Sequence, residues 1–397
     1  MSPSMFRSAA ILGLLSCVGP FAIDMYLPAM PAIATDLNAS VTGVQSTITA
    51  FFAAFGLAQL VYGPWADQSG RKPPLYVGLA IFVLATIGCA MAGSIEALIA
   101  WRFVQGLGAA VVMVIPRAII RDLHTGHEGT RLMALVMLVI SVSPMLAPLA
   151  GSAVIALADW RAIFLILLGA AAASLALVAF VLPETLPDHD RVPVNLRSLL
   201  SGARTLFGDR MFMGLTFLGA FGMASFFVFI ASASFVYSGQ YGLSPTGFSL
   251  AFAVNAIGFF AASQLAAGLG QRFGARPVVF WATLGFAVSA SLTLLLVWAG
   301  FDSLPVVIGG LFLGNAFLGV VIPTTMVMAL DEHGDIAGLA SSLGGTLQML
   351  TGGAVTALAG PFFDGTALPM IAVIAVCALL AFGLALAVLA RTATARA

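Results

Sequence analysis

Charge is what this chain has least of. Of its 397 residues only 8% are Asp, Glu, Lys or Arg, where a water-soluble domain carries roughly 25%. So little charge cannot cover a water-facing surface, which excludes a soluble globular protein. The formal net charge is zero, so nothing in the balance favours nucleic acid as a partner. Cysteine is scarce too: Cys17, Cys89 and Cys377 each sit inside an apolar run, without pairing or metal-ligand spacing, and read as packing residues. The four histidines, His124, His127, His189 and His333, fall in the polar breaks and form no ligand array. No nucleophile with a plausible base stands out within the runs, so neither catalysis nor a bound metal or cofactor is expected. No GxxxxGK[ST] phosphate loop occurs, which leaves the chain without an ATP engine of its own.

What it has in abundance is apolar length. Hydrophobic residues make up 61% of the chain, and the mean hydropathy is +1.08. Blocks of about 20 apolar residues, the length that crosses a bilayer as helix, follow one another with short polar breaks. They are continuous and lack the period-two alternation of a barrel strand, so all-α spans are expected. The 42 glycines suit close helix packing. Spans are placed at 8–30, 44–66, 74–93, 96–118, 132–157 and 161–182, then at 210–237, 246–270, 276–299, 303–330, 336–362 and 368–390. The first block runs on into a polar, proline-rich cluster and lacks a small-residue cleavage site, so it reads as a span and not a removable leader. The longest polar stretch, 183–209, is a linker between an N-terminal bundle, 1–182, and a C-terminal bundle, 210–397. With the N-terminus in the cytoplasm, fourteen of the sixteen basic residues fall on that side, Arg117, Arg391 and Arg396 among them. Only Arg161 lies outside and Arg102 within a span, while Asp36, Glu96, Asp159, Asp302 and Asp364 mark outer loops. Both termini are therefore expected in the cytoplasm.

The halves echo one another. Gly63-Pro-Trp-Ala-Asp67-Gln-Ser-Gly70-Arg71-Lys72-Pro73 aligns without gaps, at an offset of 204, with Ala267-Gly-Leu-Gly-Gln271-Arg-Phe-Gly274-Ala275-Arg276-Pro277. Internal repeats of this kind build transporter sites at a pseudo-two-fold interface.

One carboxylate lies clearly inside an apolar run. Asp24 stands in Gly19-Pro20-Phe-Ala-Ile-Asp24-Met-Tyr26-Leu27-Pro28-Ala-Met-Pro31, and a charge at membrane depth costs at least a few kcal/mol, so it marks a functional site by default. Pro28 cannot donate to the carbonyl of residue 24, and Pro20, Asp24, Pro28 and Pro31 would share a helical face. The bland reading is that Asp24 snorkels to the outer surface. Arg102, about 9 Å below that surface at 1.5 Å per residue, is the cation at matching depth. The two could pair, either as a proton switch, since a carboxylate that alternately meets and loses a guanidinium alternately releases and takes up a proton, or as a permanent structural ion pair. At the cytoplasmic end, Gly63 and Gly70 would permit a tight turn, Asp67 could complement another helix's positive N-terminus, and Arg71 could reach Asp122. With Lys72, and with Asp331-Glu332-His333-Gly334-Asp335 in the second half, these read as latch contacts. Solvated loop charges would explain the charges but not the glycine spacing. Phe226 and Phe229 of span seven suit planar or amphipathic ligands, and the amides Asn255, Asn315 and Gln348, placed within spans, each need a partner.

These residues together resemble the major facilitator superfamily over the whole chain. Gly63 to Lys72 matches its loop signature GxxxDxxGR[RK] at every position, and Arg102, Gln105, Gly106 and Gly108 resemble its span-four signature. Asp24-Met-Tyr26-Leu27-Pro28-Ala-Met-Pro31, with Ala337-Gly338-Leu-Ala340-Ser341-Ser-Leu-Gly344, is similar to the bicyclomycin/chloramphenicol-resistance (Bcr/CflA) drug–proton antiporters. The resemblance implies twelve helices in two pseudo-symmetric six-helix bundles rocking about a central site. It implies a monomer in the bacterial cytoplasmic membrane that exports drugs, driven by inward proton flow and not by a cofactor; with so few carboxylates inside the apolar runs, small neutral or amphipathic compounds are the expected cargo. Asp24 and Arg102 inherit candidate proton-coupling roles. Gly63, Asp67, Gly70, Arg71, Lys72 and Asp122 inherit candidate gating roles, and Tyr26, Gln105, Phe226, Phe229, Asn255, Asn315 and Gln348 are candidate substrate contacts. The span-five signature departs from the antiporter pattern, Ala147-Pro148-Leu149-Ala150-Gly151-Ser152 standing where Gly-Pro-x-x-Gly-Gly is usual. Alternatives are a proton-coupled uptake symporter for a metabolite and, from another class, a non-transporting receptor or intramembrane enzyme.

Overall fold

Lipid offers the backbone no water to bond with, so each apolar run must close its own hydrogen bonds, and helix does this within one segment. The computed structural model describes residues 3–124, 126–191, 193, 195–331 and 333–389; Glu332, Arg391 and Arg396 lie outside them. Among the described residues the regular structure is entirely helical, and the chain divides into two compact units, Met1–Asn195 and Leu196–Ala397.

In the first unit, α1 (Pro3–Asp24) and the short α2 (Met30–Asp36) are joined by a 3-10 turn at Leu27–Ala29. They are followed by α3 (Val41–Ser69), α4 (Lys72–Ala90), α5 (Ile95–Ala109), α6 (Val111–Leu123), α7 (Gly126–Leu157) and α8 (Arg161–Phe180). The second unit opens with α9 (Leu196–Gly208), then α10 (Arg210–Phe235), α11 (Pro245–Phe273), α12 (Ala275–Trp298), α13 (Leu304–Leu330), α14 (Ala337–Ala359) and α15 (Ala367–Leu389). Equivalent pairs pack together in each unit: α3 on α5 and α11 on α13, α4 on α8 and α12 on α15, α1 on α7 and α10 on α14.

The repeat is carried into three dimensions by its punctuation. α3 and α11 are each 29 residues long and begin behind a serine whose hydroxyl takes a backbone N–H three residues on, Ser40 from Gly43 at 3.0 Å and Ser244 from Gly247 at 3.1 Å. Both end at a glycine in the left-handed region, Gly70 at φ +93° and Gly274 at φ +84°. Every one of these positions differs by 204 from its counterpart, as in the sequence alignment. Small residues then set the packing distance. A Cβ on Gly106 of α5 would collide with the Phe51 carbonyl of α3, and one on Gly319 of α13 with the Phe259 carbonyl of α11.

Several expected spans are corrected. Span one is not a continuous helix: α1 stops at Asp24 and Pro28 sits in the 3-10 turn, so Pro20, Asp24, Pro28 and Pro31 do not share one helical face. Span two runs on to Ser69, which puts Gly63 inside α3, where an added Cβ would have no neighbour within 4 Å, so Gly63 makes no turn. Span four extends to Leu123 with a one-residue irregularity at Ala110; Arg117 therefore lies within it, about 9 Å from its end at 1.5 Å per residue. Span seven closes in a π-helical turn, Val236–Gln240. The expected linker contains α9. Among the described residues eleven stretches are long and apolar enough to cross a membrane. The twelfth span is α14, whose hydropathy is diluted by Ser341, Ser342, Thr346, Gln348 and Thr351.

Because the two glycine contacts meet backbone that cannot rotate away, Gly106→Ala and Gly319→Ala are each expected to cost about 1–3 kcal/mol. Gly63→Ala, which meets nothing, is expected to be neutral or to stabilise by about 0.5–1 kcal/mol through helix propensity. Thermal unfolding in detergent, comparing the three variants with wild type, checks this ordering.

Candidate functional site

The break in span one places a charged residue at the end of a helix and a tyrosine in the turn that follows. Asp24 is buried, 5% exposed, and has no hydrogen-bond or ion-pair partner among the described residues. α7 presses on the same turn: a Cβ on Gly151 would meet the Met25 carbonyl, so the one glycine retained in the span-five signature is the one needed for close approach.

Arg102 of α5 reaches this break but does not pair with Asp24, which corrects the expected ion pair. Its side chain is completely buried. Nη1 donates to the Ala22 carbonyl at 3.0 Å and to Gln105 Oε1 at 2.6 Å. The guanidinium lies over two rings, 4.7 Å from the Tyr26 centroid and 4.5 Å from that of Phe51. Gln105 spends its other end on Thr86, Nε2 to Oγ1 at 2.8 Å, and the Tyr26 hydroxyl shares a hydrogen bond with Thr47 at 2.8 Å. Two cation–π contacts at roughly 1–2 kcal/mol each and two charge-assisted hydrogen bonds at about 1.5–3 kcal/mol each together match the several kcal/mol that desolvating the cation costs. Two donors, Nε and Nη2, have no hydrogen-bond partner among the described residues. Tyr26 and Gln105, expected as substrate contacts, are here fully buried and committed to holding Arg102. Thr47, Phe51 and Thr86 complete the cage. Sequence reasoning passes over them because a threonine or phenylalanine in a span is ordinary until its neighbour is known.

A second cluster forms where α3 meets α4. Arg71 is buried and bidentate to Asp122, Nε to Oδ2 at 2.7 Å and Nη2 to Oδ1 at 3.0 Å, as expected from the sequence. Asp67 does not complement a neighbouring helix terminus; it pairs with Arg71 one turn further along the chain, at 2.5 Å. That terminus belongs to Glu184, a residue that nothing in the sequence singles out. Its carboxylate accepts the N–H groups of Arg71 at 2.9 Å and Lys72 at 3.0 Å, ahead of the first turn of α4, and those of Thr185 and Leu186. Burial works against the Glu184 anion, but the four backbone donors outweigh it and hold its pKa below the ordinary value of 4.5. Gly70 is required twice here, by its positive φ and because a Cβ would come within 2.7 Å of Glu184 Oε2. Lys72 extends over the Tyr76 ring, 5.7 Å from its centroid.

The equivalent position of the second unit lacks this cluster: Gln271 and Ala275 stand where Asp67 and Arg71 do, and Arg276 is exposed. There the Asp331–Asp335 run supplies a different tie. His333 Nε2 and Asp209 Oδ2 are 2.7 Å apart, while Asp209 Oδ1 caps α10 by accepting from Met211 and Phe212. Burial raises the Asp209 pKa, and these hydrogen bonds more than reverse it, leaving the carboxyl below its ordinary range.

Also in the second unit, Phe226 stacks on Phe259 at 5.8 Å and Phe229 on Phe252 at 5.4 Å. Asn255 and Asn315 are both buried and face each other, Nδ2 to Oδ1 at 3.4 Å. Phe229 and Asn315 share with Ser225, Phe286 and Thr293 the lining of a small cavity with room for about one water molecule. Gln348 sits elsewhere on α14, where a Cβ on Gly219 of α10 would come within 3.1 Å of its amide nitrogen. Four of the five expected contacts in this unit are thus brought together.

Twelve helical spans among the described residues, six in each of two units that repeat one another, with a buried arginine cage and a loop cluster at the signature turn of the first, make up a multi-pass membrane transporter scaffold. The chain belongs to the Major Facilitator Superfamily, whose family model matches residues 12–244. It is 34% identical to the uncharacterized MFS-type transporter YdgK of Bacillus subtilis, over 94% of this chain and 92% of that one. It is 30% identical to the bicyclomycin resistance protein homolog of Haemophilus influenzae, over 94% of both. In fold it is similar to a crystal structure of a D-xylose–proton symporter, with a TM-score of 0.77 over 96% of both chains at 16% identity.

A carboxylate held below its ordinary pKa stabilises the fold above that ordinary value and loses the contribution as pH falls through the lowered one. Glu184→Gln is therefore expected to unfold at lower temperature than wild type at pH 7, with the difference shrinking as pH is taken below about 4.5. Unfolding of the solubilised protein at a series of pH values checks it. Arg71→Lys, which keeps the charge and loses the bidentate fork, is expected to lose most of the stability that Arg71→Ala loses, measured the same way.

Proposed function

We propose that this chain is a proton-coupled multidrug antiporter of the bacterial cytoplasmic membrane, exporting small neutral or amphipathic compounds by alternating access. It works as a monomer with both termini in the cytoplasm, and the proton gradient stands in place of any cofactor. The observation that carries the proposal is Asp24: a buried carboxyl at a helix break, without an ion partner, on the helix whose Ala22 carbonyl Arg102 already grips. Arg102 keeps two unpaired donors, Nε and Nη2. A shift of the turn that brings Asp24 onto those donors favours its anion and releases a proton; the reverse shift takes one up. The resistance named for the Haemophilus influenzae relative supports the outward direction and the class of cargo. Asp67, Arg71 and Asp122 are the contacts proposed to open and close with the cycle, and Phe226, Phe229, Asn255 and Asn315 those proposed to meet cargo.

The deciding experiment is substrate-induced proton release from acidified everted vesicles. Wild type is expected to discharge the gradient when chloramphenicol or bicyclomycin is added, and Asp24→Asn to bind the drug without discharging it. A coupled Asp24→Asn protein would move the proton site elsewhere. A silent wild type with every drug tried would remove the export reading in favour of uptake. Because Asp24 is, among the described residues, the only carboxylate of a span that does not lie within two residues of its end, neutral dyes are expected to be exported in preference to dicationic ones, and equal rates would contradict the cargo class.

A further inference from the structure

Span four carries a charge that neither the Arg102 cage nor the Arg71 cluster uses. Arg117 lies inside α6, about 9 Å from the end of the span at 1.5 Å per residue, and is exposed. α6 packs on α1, α3, α4 and α7, and the side chains it buries are apolar: Val111, Val112, Ile115, Pro116, Ile119 and Ile120. One strip of the helix is left open. Arg117 and Arg121 stand on it four residues apart, and Met113 and Val114, both half-buried, continue it one turn deeper. The strip closes at Ala110, which is fully buried.

Neither guanidinium has a hydrogen-bond or ion-pair partner among the described residues. The carboxylates near them in the chain are committed elsewhere, Asp122 to Arg71 and Thr185, and Glu128 to His124 at 3.2 Å. An unpaired cation at this depth is costly against lipid tails, and arginines within spans accordingly face water or a partner. Snorkelling does not remove the cost, because Arg121 already stands one turn nearer the end on the same face. The strip is therefore wet, with surplus positive charge toward the end of the span and apolar surface further in.

We propose that this strip binds amphipathic monoanions, Arg117 taking a carboxylate and Met113 and Val114 the apolar body beside it. Four residues of helix, about 6 Å along the axis, separate Arg117 from Met113. That spacing suits a compact ring system with one acidic group next to it. Arginine's planar fork matches a carboxylate, and methionine, unbranched and adaptable, accepts apolar bodies of varied shape. A dication meets only like charge here. The inference deepens the cargo class of the export reading and rests on that reading for calling the ligand cargo; the binding itself does not depend on it.

The test is a fluorescence titration of full-length protein in phosphatidylcholine nanodiscs at neutral pH, with empty discs subtracted. Dansylglycine and dansylamide share one fluorophore, and only the first carries a carboxylate. Wild type is expected to bind dansylglycine the more tightly, by about tenfold, the size of one charge-assisted contact. Arg117→Gln is expected to erase that preference by weakening dansylglycine alone, and Arg117→Lys, which keeps the charge and loses the fork, to retain part of it. Arg117 is exposed, so both variants are expected to stay folded, and unchanged dansylamide binding shows that they do. A wild type without the preference overturns the proposal, as does Arg117→Gln that keeps the preference or loses both probes equally. Discs containing phosphatidylglycerol separate the other source of an anion. Wild-type affinity for dansylglycine that falls there to the level of Arg117→Gln assigns the arginine to a lipid headgroup and overturns the proposal too. No transport or proton movement is measured, so this result and the antiport result fail separately.

Discussion

The first unit is organised around the burial of one guanidinium without a carboxylate to meet it. Removing Arg102 from water costs several kcal/mol, and the protein offsets this with two ring faces, one amide oxygen and one backbone carbonyl. Those four groups come from three places: Tyr26 and Ala22 from span one, Phe51 from α3, Gln105 from α5 itself. The cage therefore fixes the register of three spans at once, and Gly106, on the next turn of α5, lets the α3 backbone come close enough for Phe51 to reach. Because the acceptors are neutral or only polarised, the cage holds Arg102 while leaving Asp24 uncommitted. A permanent ion pair would have satisfied both charges and left the site inert to protons.

The two units share their scaffold and divide its uses. Serine caps, 29-residue helices, left-handed glycines and glycine-to-carbonyl contacts recur at matching positions. The charges do not. Asp67, Arg71, Asp122 and Glu184 have no equivalents around Gln271 and Ala275, and the second unit instead carries paired amides, stacked rings and the Asp209–His333 tie. Duplicated packing with unduplicated chemistry is what physical reasoning expects when the fold needs both halves equally and the charged site is needed only once.

The spans are legible in the sequence because length and hydropathy alone decide them, and the repeat because glycine, a basic residue and proline punctuate both halves. The Arg71–Asp122 contact is legible too, since a signature turn and the end of the neighbouring span leave few other partners. What stays hidden depends on long-range proximity. Glu184 lies more than a hundred residues from the α4 terminus it caps, and nothing local distinguishes it from a solvated linker charge. The Asp24–Arg102 pair is expected from matching depth. Depth fixes height in the membrane but not azimuth around a helix, and the break at Asp24 changes the azimuth. α14 is recognisable as a span although its serines and threonines dilute the signal, whereas the linker helix α9 escapes notice because thirteen residues with a narrow apolar stripe read as polar overall.

Asp24 stands between Ala22 and Tyr26, the two span-one residues that hold Arg102, and is yet energetically independent of the guanidinium in this state. A double-mutant cycle of unfolding free energies tests it directly, using Asp24→Asn, Arg102→Gln and the pair, with Gln105→Ala against Arg102→Gln as the coupled control. Independence predicts that Asp24→Asn and Arg102→Gln add within about 0.5 kcal/mol, while the control pair departs from additivity by about 1 kcal/mol or more. Coupling between Asp24 and Arg102 of about 3 kcal/mol or more, the size a buried ion pair produces, would mean that the two are paired.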